Sequence, residues 1–299
     1  MTEIKQPSVP LPSELSGASV AQPAGNPLAQ YFRHTKLTIE LPSQGKFWPP
    51  GTLELNESGE VEVMPLTARD EILLKSPEGL LSGSSVVDSI RSCVPAIKNP
   101  WLMPAIDVDT VFIAIRMASF DHELEVSSNC THCGHINDNV LDLRVLLDSI
   151  PKGNIKNIKT VNDLTFEYAP YTYEFVNLQN KMKFDQERLA RGLNEAETPD
   201  EAVNSAYLQN LFRELAAHNT EAIVVAIKKI IMPDGTIVMN KEQITEFVNN
   251  ADRDTIKQIR SGIIDMNSSA AMPPITVQCE ECEKEYETVV EFNQTNFFD

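Results

Sequence analysis

The amino-acid sequence predicts an α+β fold: short strands and helices around two Cys-x-x-Cys turns, with a mainly helical insertion between them. Three observations predict it. Runs such as Leu37-Thr-Ile-Glu-Leu and Glu123-Leu-Glu-Val alternate apolar and polar residues, the period of a half-buried strand. Capped runs with helical spacing, such as Thr67 ahead of Asp70, Glu71 and Ile72-Leu-Leu, mark short helices. Finally, Cys-x-x-Cys occurs twice, at Cys130/Cys133 and Cys279/Cys282, each time where an alternating run ends.

Composition narrows the function classes. A chain of 299 residues, 42% of them hydrophobic, can bury one large core or two ordinary ones. The 25 Lys and Arg face 43 Asp and Glu, a net charge of -18, which argues against a DNA-gripping or anionic-membrane surface. No window reaches the roughly 18 uninterrupted apolar residues of a membrane helix. The start, Met1-Thr-Glu-Ile-Lys-Gln, lacks the basic-then-apolar layout of a signal peptide, so a reducing cytoplasm is expected. Five cysteines, an odd number, do not suit a disulfide scaffold.

Residues 1–35, rich in Pro, Ser, Ala, Gly and Gln, read as a flexible arm, either a plain tail or a segment that orders against a neighbouring subunit. An α+β domain is expected over 36–150. It opens with the strand at Leu37, punctuated by Pro42, Gly45 and Pro49-Pro50-Gly51. Thr52-Leu-Glu-Leu and Val61-Glu-Val-Met read as a hairpin-like pair across Asn56–Gly59. Helices are predicted at about 67–75, 84–94 and 107–119, with a further short one ending near Pro151. Residues 151–267 form the insertion. Leu164 to Tyr173 reads as extended, Thr198-Pro199 as a helix start for Val203, Tyr207, Leu211 and Leu215, and Ala222–Ile231 as a second helix. A hairpin across Pro233-Asp-Gly-Thr236 and helix caps at Asn240 and Asp252 complete it. Residues 268–299 hold the second cysteine pair and the aromatic end, Phe292, Phe297 and Phe298, and are expected to pack with 36–150.

The cysteine pairs carry the chemistry. In each, two intervening residues let both thiolates face one ion while backbone amides turn around the sulfurs. Two such turns supply the four ligands of a closed, tetrahedral, structural zinc site, here Cys130, Cys133, Cys279 and Cys282. The spacer departs from the usual 15–20 or so residues, which requires the insertion to return the chain to the first turn. Two half-sites completed by His132, His135 or another chain, and a redox Cys-x-x-Cys, remain alternatives. Cys93 lies on an apolar helix face and reads as a small core residue. Glu280, Glu281, Glu283, Glu285 and Glu287 read as a solvated rim or, alternatively, an anionic contact surface.

Enzyme motifs are missing: no Gly-x-Gly-x-x-Gly, no phosphate loop, no His-Glu-x-x-His and no Gly-x-Ser-x-Gly. A closed four-thiolate zinc has no open position at which to activate water. A protein without catalytic activity is therefore expected.

Several ordered motifs resemble the baseplate hub assembly proteins of T-even-type contractile-tailed phages. They are Leu41-Pro-Ser-Gln-Gly-Lys-Phe47, Val63-Met-Pro-Leu-Thr-Ala-Arg-Asp-Glu71, Gly79-Leu-Leu-Ser-Gly83, the helix leading to Cys93, and Ile113-Ala-Ile-Arg116-Met-Ala-Ser119. The second knuckle and Phe297-Phe298 fit as well, so the similarity covers about 37–145 and 270–299. The resemblance implies a structural or assembly protein of the tail. Its partners would be other hub and wedge proteins, met in the host cytoplasm during assembly and then in the virion. The competing class is a zinc-ribbon regulator that binds nucleic acid or RNA polymerase, against which the net charge and the acidic second knuckle count.

Overall fold

A computed structural model describes residues 26–195, 213 and 217–290. The described residues before His34 belong to a unit of their own, in which Pro27–Tyr31 make a single 3-10 turn. The helix start at Thr198, the face Val203/Tyr207/Leu211/Leu215 and the terminal Phe292, Phe297 and Phe298 lie outside the described residues.

Among the described residues from His34 onward, the chain forms four small antiparallel sheets and a set of helices around two large cores. In the first part, β1 (Leu37–Ile39) pairs with β2 (Val61–Val63), Leu37 opposite Val63. The hairpin expected between 52–55 and 61–64 therefore does not form. Leu53 makes a lone bridge to Ile97 instead, while Ile39, Val61 and Val63 share one buried face. Helices α1 (Ala68–Leu74), α2 (Pro77–Ser82), α3 (Ser84–Cys93) and α4 (Ala105–Ser119) follow. A reciprocal capping box fixes the start of α1: Thr67 accepts from the Asp70 amide, and Asp70 accepts from the Thr67 amide. The apolar faces of α3 and α4, with Val86, Ile90, Val111 and Ile115, fill the first core. Cys93 is fully buried there, in keeping with its apolar helix face.

Among the buried polar groups of this part is a carboxylate, that of Asp107. The Asp107 carboxylate accepts from the Ser43 amide (2.8 Å), the Ser43 hydroxyl (2.5 Å) and the Trp48 indole N–H (2.8 Å). These bonds tie the turn at 41–48 to α4. Burial, opposed by those hydrogen bonds, pushes the carboxyl up to about 6.

Strands β3 (Glu123–Asn129) and β4 (Ile136–Asp142) then form a seven-pair ribbon, and α5 (Leu143–Ser149) returns to the first core. The insertion is organised around a sheet. β5 (Ile158–Val161), β6 (Leu164–Tyr168), β7 (Ile227–Ile231) and β8 (Ile237–Val238) lie in that order. Around it run α6 (Tyr173–Glu195), a helical segment at 217–226, α7 (Lys241–Asn250) and α8 (Arg253–Ser268). The expected helix across 222–231 is thus split: the chain leaves helix at 226 and pairs with β6. Three isoleucines in five residues favour a strand, and tertiary pairing decides the matter. Asn240 and Asp252 cap α7 and α8 as their sequence positions predict. Gly262 lets α8 lie against the sheet, because a Cβ there would stand 2.5 Å from the Tyr168 ring. The last strands, β9 (Ile275–Gln278) and β10 (Glu285–Thr288), pair with each other, and Val290 is buried in the first core.

Candidate metal centre

The two hairpins bring their tips together. Each ends in a Cys-x-x-Cys turn of the same construction. The Cys130 amide donates to the His135 carbonyl (2.8 Å) and the Gly134 amide to the Cys130 carbonyl (2.9 Å). Correspondingly, the Cys279 amide donates to the Lys284 carbonyl (3.0 Å) and the Glu283 amide to the Cys279 carbonyl (2.9 Å). The residue after the second cysteine is left-handed in both, Gly134 at φ 76° and Glu283 at φ 57°. Glycine takes that conformation without penalty and glutamate does not.

All four ligand-bearing sulfurs, of Cys130, Cys133, Cys279 and Cys282, lie within 4.8 Å of one another. Across the hairpins, Cys130 Sγ stands 3.7 Å from Cys282 Sγ, and Cys133 Sγ 3.6 Å from Cys279 Sγ. Disulfides need about 2.0 Å, so the thiols are free. A tetrahedral ion with metal–sulfur bonds of about 2.3 Å needs sulfur–sulfur edges of about 3.8 Å. The cross-hairpin distances match those edges, so the four residues fit one four-thiolate ion. His132 and His135 are exposed and stand outside this group; His132 Nε2 instead lies 3.2 Å from the Glu285 carbonyl oxygen.

The sulfurs do not ionise alike. Burial opposes ionisation of Cys279, but amide donors from Cys282 and Glu281, with the neighbouring thiols, outweigh it and lower this thiol to about 6. At Cys133 a His135 amide favours the thiolate, yet desolvation and the other three sulfurs push it up to about 12. Cys279 therefore ionises far more readily than Cys133. A divalent cation held here would allow all four to ionise, and its binding would release protons.

Beneath the sulfurs, side chains lock the hairpins to each other. The Tyr286 hydroxyl, buried, lies 2.7 Å from Ser128 Oγ and accepts from Asn137 Nδ2 (3.1 Å). Asn137 Oδ1 in turn accepts from the Glu280 amide (2.9 Å). Sequence reasoning singled out the cysteines and missed Ser128, Asn137 and Tyr286. Tyr286 had a weak signal in its inward place in the alternation, whereas Asn137 had none, because Tyr286 and Glu280, which it joins to the first hairpin, are more than 140 positions away.

Among the described residues no helix is long and apolar enough to cross a membrane. No curated protein and no solved structure matches the chain. A family model does: that of the T4 bacteriophage base plate protein matches residues 33–299. With the match running across both hairpins and the insertion between them, the chain belongs to the T4 bacteriophage base plate protein family.

Proposed function

We propose that the chain is an architectural component of the baseplate hub of a contractile phage tail, closed by one structural zinc ion on Cys130, Cys133, Cys279 and Cys282. The observation that carries the role is the family match over 33–299. The hub assignment draws on the resemblance of the ordered motifs between Leu41 and Ser119. Zinc is favoured because four thiolates at tetrahedral spacing suit a soft, redox-inert ion with no preferred geometry of its own.

The ion's work is mechanical. It joins residues 146 positions apart and so closes the insertion onto the domain that precedes it. Four protein ligands leave no site for substrate or water, so the role is assembly without a reaction. Partners are other proteins of the tail, met in the host cytoplasm during assembly and retained in the virion. Mass spectrometry of purified tails tests this: stoichiometric chain peptides are expected in intact baseplates. Their absence from tails, together with normal tail yield when the gene is deleted, would overturn it.

A further inference from the structure

The β3–β4 ribbon has two faces, and among the described residues only one is packed against the rest of the chain. Inward, Leu124 enters the first core, Val126 and Leu141 pack against it, and Ser128 and Asn137 meet Tyr286. Outward, register places Glu125 opposite Val140, Ser127 opposite Asp138 and Asn129 opposite Ile136. Ile136 and Val140 are 62% and 61% exposed, two β-branched side chains on one strand face with none of the described residues packed over them. A hollow of about 540 Å³ lies elsewhere, on the insertion, and is lined by lysines and serines. The ribbon has its own, 530 Å³, lined by the consecutive cross-strand pairs Glu125/Val140, Val126/Asn139 and Ser127/Asp138.

We propose that this outward face is a docking surface for a cationic, extended segment of another tail protein. The chemistry selects the occupant. At one end Arg144 neutralises Asp142 (2.7 Å), but Glu125 and Asp138, in the centre, meet no cation among the described residues. A partner must therefore offer Lys or Arg to the carboxylates and apolar side chains to Ile136 and Val140. Nucleic acid and anionic lipid are repelled by those carboxylates and by the net charge of -18. A second copy of the face would bring like charges together. Rigidity also favours docking: the ribbon is held at its tip by Cys130 and Cys133 and along its inner face by Tyr286, so little ordering remains on binding.

This inference rests on the assembly role proposed above, and the test separates the two. A phage encoding this chain is made with the gene deleted, with Val140→Asp, and with Glu125→Lys plus Asp138→Lys. Both substitution alleles should lower tail yield at least tenfold while the purified chains keep wild-type melting temperature and metal content. Revertants of the double variant should map to another tail protein, at a Lys or Arg become acidic. Should Val140→Asp melt early, the double variant decides alone, since it leaves the apolar pair untouched. Normal yield from the double variant, with none from the deletion, overturns the docking surface and leaves the assembly role standing. Normal yield from the deletion overturns both. A concentration-dependent dimer of purified chain that Val140→Asp abolishes gives the face to a second copy and overturns the cationic partner.

Discussion

Stripping the metal should cost this fold about 5 kcal/mol through chain entropy alone. Cys133 and Cys279, whose sulfurs are 3.6 Å apart, are separated by 146 positions. Cross-linking a loop of that length removes unfolded-state entropy worth about 5 kcal/mol at 25 °C. Domains are stable by only about 5–15 kcal/mol, so this is a large share of the total. For chains somewhat smaller than this one, each kcal/mol shifts the melting temperature by about 2–4 °C, so chelation should lower it by roughly 10–20 °C. The assay is thermal unfolding by circular dichroism, with and without a chelator, with metal content measured on the same samples. Cys→Ser at 130, 133, 279 or 282 should each reproduce the loss. Cys93→Ser, in the first core and away from the sulfurs, should keep its metal. Unchanged melting after the metal is gone would refute the idea that the ion closes the insertion, and equal behaviour of all five variants would refute the ligand set.

Three other perturbations follow from the same geometry. Tyr286→Phe removes the hydroxyl between Ser128 and Asn137, leaves buried polar groups without a partner and should cost about 2 kcal/mol in urea unfolding, with an unchanged slope. Burial raises the Asp107 carboxyl to about 6 from 3.8, so the folded state binds the extra proton. Its contribution is full below pH 3.8 and lost as pH rises through 6, a fall of about 3 kcal/mol that Asp107→Asn should flatten while destabilising the fold, since an amide N–H would face the Trp48 N–H. At the knuckles, Gly134→Ala should cost about 1 kcal/mol and Glu283→Gly should be neutral or stabilising, because both positions are left-handed; opposite signs in paired melting curves would contradict the turn geometry.

What was legible in the sequence was local. Thr67, Asn240 and Asp252 act within three residues, and a cap is readable wherever its partners are near neighbours. The alternation at Glu123–Val126 and the Cys-x-x-Cys turns are equally self-contained, and they marked the first strand and the tip of the hairpin at Cys130 and Cys133. Non-local choices were not. Val61–Val63 had two candidate partners, and pairing with Leu37–Ile39 wins because it buries Ile39, Val61 and Val63 together. Residues 222–231 suit a helix until the edge of β6 is available to Ile227–Ile231. Asp107 carries no local signal in the sequence, and only the approach of Ser43 and Trp48 makes it a buried anchor.

The measurement nearest to the central claim is the metal content of the purified chain, by elemental mass spectrometry against amino-acid analysis. One zinc per chain is predicted for the wild type and for Cys93→Ser, and well under half for Cys279→Ser. A wild-type chain with almost no zinc or other thiolate-bound metal, yet folded, would contradict a metal-closed fold. Two zinc ions per chain would contradict a single site shared by the two knuckles.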